Sequence, residues 1–136
     1  LSKPRFALEA DVRAEVRETF PTAQWVEAAV GGSHGLPDCF INDVDGLISR
    51  VAFFELKVAD VRGIEVKYFV RPAQRKRLKK MIPAGYKCWF VVGEKGGDRL
   101  WRVVPDERSM NGRFTIGDPG VVPILDLRTE LLAGAF

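Results

Sequence analysis

The run Phe53-Phe54-Glu55-Leu56-Lys57-Val58-Ala59 constrains this chain more than any other segment. It closes a stretch, residues 47–58, rich in β-branched and aromatic residues, which predicts a strand bound for the interior. Alternate residues of a strand share a face, so Phe53, Glu55 and Lys57 point one way and Phe54, Leu56 and Val58 the other. An acid and an amine then project together from an otherwise apolar strand. Burying them is costly unless they pair with each other or bind something.

The elements around that strand predict an α/β or α+β core with a central mixed β-sheet flanked by helices. Residues 6–20 carry Leu8, Val12, Val16 and Phe20 at a four-residue spacing and end at Pro21, giving an amphipathic helix with one inward stripe. A short strand over 25–30 follows, then a loop with Gly31, Gly32 and Gly35 around Ser33 and His34. The chain leaves that loop as a strand over 36–41, and the turn chemistry from Asn42 to Gly46 folds it back on 47–58 as an antiparallel hairpin. Residues 61–69 read as a loop with a short extended piece. Arg71-Pro72 looks like a helix start, and Gln74, Leu78, Met81 and Ile82 share one face of that helix until Pro83 and Gly85 stop it. Strands over 87–93, 100–104 and 113–116 and a last helix over 125–133 complete the reading. At 136 residues the expectation is one domain.

With the hairpin turn near Asp45 and Gly46, paired residue numbers sum to about 91–93, which puts Asp38 opposite positions 53–55. The Asp38 and Glu55 carboxylates can therefore converge, and a divalent cation would remove their repulsion. One or two carboxylates, with water and substrate phosphate completing the shell, is what Mg²⁺ prefers. Lys57 stands beside them, able to orient or deprotonate an attacking water or to offset charge on a phosphate oxygen. That chemistry is metal-assisted phosphodiester hydrolysis.

Charge distribution points to the same partner. Arg71, Arg75, Lys76, Arg77, Lys79 and Lys80 are six of the 21 basic residues and stand in a ten-residue stretch without an acid, so the rest of the chain carries more acid than base. A basic segment of this kind is either a solvated helix face or a contact for a polyanion such as DNA.

Gly35-Leu36-Pro37-Asp38, sixteen intervening residues and then Glu55-Leu56-Lys57 between apolar flanks resembles the PD-(D/E)xK nuclease signature. Gln74 in the following helix, then Leu78, Ala84-Gly85 and the apolar strand ending at Val92, is similar to the virus-type replication-repair nucleases (VRR-NUC) and to archaeal and phage Holliday-junction resolvases. The likeness covers residues 8–92, leaving 93–136 as a C-terminal extension of the same domain. It implies a restriction-endonuclease-like core and a Mg²⁺-dependent DNA endonuclease, with Mn²⁺ able to substitute. Such an enzyme would be structure-selective on duplex or branched DNA and would process phage or mobile-element DNA. Asp38 and Glu55 match the family's metal-binding carboxylates, Lys57 its catalytic lysine and Gln74 its helix-start glutamine. Members commonly add a first-helix glutamate as a metal ligand; at about 100° per residue Glu9 falls roughly 40° from the centre of the inward stripe, Glu15 about 80° and Glu18 about 140°, which favours Glu9. Ser33 and His34 would meet the scissile phosphate, and the six basic residues would contact flanking phosphates, positioning the DNA without reading sequence.

Resolvases of this kind generally act as twofold homodimers. The apolar residues of the extension, Leu125, Leu127, Leu131, Leu132 and Phe136, suit either internal packing or such an interface. A nucleic-acid-binding protein that keeps the fold without cutting, and a nuclease subunit that needs a partner, stay open as alternatives. Cys39 and Cys88 sit among apolar neighbours and read as buried reduced thiols, and His34 as the one histidine excludes a multi-histidine metal site. The longest apolar runs fall far short of a membrane span of about 18 residues, and charge interleaves the first eighteen positions, so the expectation is a soluble cytoplasmic protein, bacterial or in an infected host cell.

Overall fold

A computed structural model describes residues 5–21, 23–26, 37–42 and 51–135. Its elements are α1 (Glu9–Thr19), β1 (Gln24–Trp25), β2 (Cys39–Asn42), β3 (Val51–Arg62), β4 (Glu65–Lys67), α2 (Pro72–Met81), β5 (Lys87–Glu94), β6 (Leu100–Val103), a 3₁₀ turn (Ser109–Asn111), β7 (Arg113–Thr115), β8 (Val121–Pro123) and α3 (Leu127–Ala135). The sheet runs β1-β2-β3-β5-β6-β8, with β4 on the far end of β3 and β7 on β4. Among the described residues only β3 and β5 pair in parallel, joined through α2, while the remaining pairs are antiparallel. The fold is thus α/β, with an open, mixed, mostly antiparallel sheet flanked by helices. Among the described residues no helix is long and apolar enough to cross a membrane.

The interior strands β3 and β5 are largely apolar on both faces, as strands covered on two sides must be, with Glu55 and Lys57 the charged residues buried on one face of β3. One face buries Phe54, Leu56 and Val91 against Val12 and Val16 of α1 and Leu127 and Leu131 of α3. The other buries Phe90 and Val92 against Leu78 and Met81 of α2, with Trp101 and Phe114. The C-terminal extension is part of this packing: β6 and β8 extend the sheet, and α3 fills the same core as α1. Both thiols are buried and unbonded to each other. Burial pushes Cys39 up to about 12 and Cys88 up to about 11, so neither is a ready thiolate.

Several expectations need correction. Leu8 does not join the inward stripe and is 65% exposed. The Asp11 carboxylate accepts the Ala7 and Leu8 backbone N–H groups at 2.8 Å, so the helix begins at Glu9 and Leu8 lies outside it. Phe6 fills that end of the core instead, fully buried, with its ring over Gly93, where an added Cβ would lie 3.0 Å from it. Ile82, expected on the inward face of α2, caps that helix and is partly exposed. Beyond Val58 the strand runs on to Arg62, and Gly63, at φ +62°, starts a two-residue turn into β4 where a loop is expected. The last helix begins at Leu127, leaving Leu125 exposed. Residues 27–30 of the expected first strand, the 43–50 turn region, Ser33, His34 and Phe136 lie outside the described residues.

Candidate active site

The β2–β3 register decides where the acids stand. Cys39 pairs with Phe54, so the next step out along the ladder brings Asp38 beside Glu55. The Asp38 backbone N–H donates to Glu55 Oε2 at 3.1 Å, and the Leu56 N–H donates to Asp38 Oδ2 at 2.8 Å. The two carboxylates are thus locked together by backbone groups of each other's strands, as the hairpin register predicts.

Lys57 follows one alternation further, its ammonium 3.5 Å from Glu55 Oε1. Gln74, from the first turn of α2, ties the pair: its Oε1 accepts Lys57 Nζ at 2.9 Å, and its Nε2 donates to Glu55 Oε1. The same Oε1 accepts the Arg71 backbone N–H at 3.0 Å. One side chain therefore caps the helix start and fixes the lysine. Glu55, Lys57 and Gln74 are all buried, 1%, 5% and 8% exposed. Buried polar groups at this density specify one geometry when every member is satisfied.

Glu9 opens α1 at the edge of this cluster. Burial raises its carboxyl above the ordinary range, the Asp38 charge adds to the rise, and Lys57, Arg13 and Arg71 oppose it. The first-helix glutamate expected as a metal ligand thus stands within electrostatic reach of Asp38 and Lys57. Among the described residues no three acidic, histidine or cysteine side chains gather closely enough to hold a metal, so Glu9 does not close up with Asp38 and Glu55 into a three-carboxylate cluster. Glu15 is occupied elsewhere, by Arg5, and Glu18 is exposed.

Arg13 joins the site without standing in the motif. Its guanidinium donates to Asp38 Oδ1 at 3.0 Å, orienting that carboxylate from the α1 side. One sequence signal points to it, since Arg13 stands four residues after Glu9 and so on the same helix face.

Burial, followed by the neighbouring Asp38 charge, pushes Glu55 up to about 9. The donor set fits a divalent cation: hard carboxylate oxygens, mutually repelling, in a site that penalises their charge. A carboxyl raised from 4.5 in the unfolded chain favours the folded state while protonated, so its ionisation costs stability as pH rises through that window. We therefore expect Glu55→Gln to melt higher than the unsubstituted protein in EDTA at pH 8, with the difference shrinking as pH falls towards 4. Melting curves of the two proteins at both pH values test this; a variant that melts lower at pH 8 contradicts it.

The basic residues of α2 line up as the sequence suggests. Gln74, Leu78 and Met81 turn inward, while Arg71, Lys76, Lys79 and Lys80 are exposed and Arg75 and Arg77 are half-buried. Arg71 precedes the helix directly above the Gln74 contact, so the basic face begins at the acidic site. Compared with protein-family models and with curated proteins, the chain matches none.

Proposed function

We propose that this protein is a Mg²⁺-dependent endodeoxyribonuclease of the PD-(D/E)xK type, built on a restriction-endonuclease-like core. The observation that carries this reading is the convergence of Asp38 and Glu55 beside Lys57, with Gln74 bonded to both Glu55 and Lys57. An isolated acid-x-lysine triplet is common on surface strands, where the two form a solvated pair; here both side chains are buried against a second acid. The β3-α2-β5 crossover sets the glutamine over the strand that bears the acid and the lysine, which agrees with the order of the motif.

Asp38 and Glu55 would hold the magnesium ion. Bound there, it would supply Lewis-acid polarisation of a phosphate oxygen and a lowered pKa for a coordinated water. Lys57 meets the reacting phosphate with its ammonium, which orients the attacking water and offsets the negative charge that develops on the phosphate oxygen. Gln74 keeps that ammonium from collapsing fully onto Glu55 by taking one of its three protons in a hydrogen bond. Arg13 holds Asp38 in place. Exposed bases of α2 bind flanking phosphates and confer no base specificity.

Cleavage assays with linear duplex, single strands, flaps and four-way junctions, each in Mg²⁺, Mn²⁺ or EDTA, test the reading. Cutting that appears with metal and disappears with chelator is the expected result. Binding without cutting on every substrate would favour the non-catalytic alternative.

A further inference from the structure

The proposed nuclease chemistry draws on one charged surface, the outer face of α2. A second lies on α1 and begins at the same acids. Glu9, Arg13 and Arg17 recur every fourth residue, so they form one line along the helix with about 6 Å between steps. Glu9 stands at the acidic cluster, Arg13 bonds Asp38, and Arg17 lies one turn further out.

Trp25 at the sheet edge supports this line. The guanidinium carbons of Arg13 and Arg17 lie 5.2 Å and 4.5 Å from its ring centre, so both cations share one indole. Two like charges at this helical spacing repel and weaken the helix. The indole offsets part of that cost through cation–π attraction and holds both guanidinium groups extended rather than free to swing apart. Arg13 has an acidic partner in Asp38. Among the described residues Arg17 has none, and it is exposed. A pre-oriented, exposed guanidinium next to a second one is suited to a phosphate, which accepts its planar fork.

We infer that the Arg13–Arg17 ladder over Trp25 is a second phosphate-contact surface, taking the DNA backbone on the side of the acids away from α2. This rests on the nuclease reading and adds to it the path of the substrate. Helices α1 and α2 pack on different faces of the sheet, yet Glu9 at the start of α1 feels the charge of Arg71 at the start of α2. Their N-terminal ends therefore lie within electrostatic reach of one another beside the acids, and a duplex seated there meets basic side chains from both helices.

Fluorescence anisotropy of a labelled duplex in EDTA, titrated over a range of salt, reads out this surface. Removing one phosphate interaction should flatten the plot of log affinity against log salt by about 0.9. We expect Arg17→Ala to flatten it by about that amount and to weaken binding several-fold at moderate salt. Arg17→Glu should weaken it further and Arg17→Lys should restore most of the slope, with melting temperatures retained throughout. Lys79→Ala/Lys80→Ala serves as the comparison on α2. If that double variant flattens the slope and the Arg17 variants leave it unchanged, the α1 surface is wrong while the nuclease reading stands. If the unsubstituted protein binds no DNA, both fall.

Discussion

Asp38→Asn, Glu55→Gln and Lys57→Met will each lower metal-dependent DNA cleavage by at least about 10²- to 10³-fold, the scale set by removing one preorganised electrostatic group from an active site. The three changes are close to isosteric, so each leaves the packing of β2 and β3 intact while removing one charge. Asp38→Asn keeps an oxygen to accept the Leu56 N–H and loses the acceptor for Arg13, and Glu55→Gln keeps one for the Asp38 N–H and loses the acceptor for the Gln74 amide, so the backbone bonds that set the strands survive. Far-UV circular dichroism should therefore be unchanged. The losses should not add in multiple variants, because the groups act as one unit. Full cutting by either carboxylate variant would remove the proposed mechanism; loss confined to Lys57→Met would leave the lysine as the reactive group and make the acids structural.

The same carboxylates link function to stability. Glu55 is buried at 1% exposure against a second acid, a placement that costs the metal-free fold and gains it nothing in packing over a glutamine. Proteins retain such strain where a ligand or reaction uses it. A substitution that abolishes cutting and raises the melting temperature in EDTA is thus the combined signature expected at position 55.

The site was legible in the sequence to the extent that it depends on period and register. Strand alternation set Glu55 and Lys57 on one face, and the turn position fixed the pairing that brings in Asp38, because a one-residue slip would have sent every side chain to the opposite face. Helical spacing turned Gln74 inward with Leu78. What escaped was decided by contacts across the chain. Arg13 meets Asp38 twenty-five residues away, through the docking of α1 on the sheet. Leu8 matched the stripe by spacing, yet the Asp11 cap placed it outside the helix. The edge strand β8 has three residues and ends in Pro123, too short to show a period and carrying a residue that only an edge tolerates.

The second large effect lies far from the acids, at Gly112. This glycine has φ +84°, and an added Cβ would stand 2.1 Å from the Tyr68 carbonyl oxygen, well inside van der Waals distance. The Tyr68 backbone N–H donates to the Gly112 carbonyl at 2.9 Å, and its hydroxyl donates to the Ser109 carbonyl at 2.8 Å. Its ring packs on Phe90 and Phe114. Three residues later Arg71 stands at the cap of α2, whose Gln74 holds Lys57. Relieving the clash must shift either the 3₁₀ turn or the segment that aims α2. We expect Gly112→Ala to cost about 3 kcal/mol or more, left-handed strain and overpacking together, and to lower the melting temperature by on the order of 10 °C. Cleavage should fall with it. Gly63→Ala is the matched control: φ is +62° there, but nothing lies within 4 Å of the added carbon, so strain alone acts and the cost is about 1 kcal/mol. Thermal melts and cleavage rates of the two variants side by side decide the matter. Equal, mild effects would show that the Tyr68 segment yields freely and that α2 is aimed by its own packing on β5, with no support from the turn beneath it.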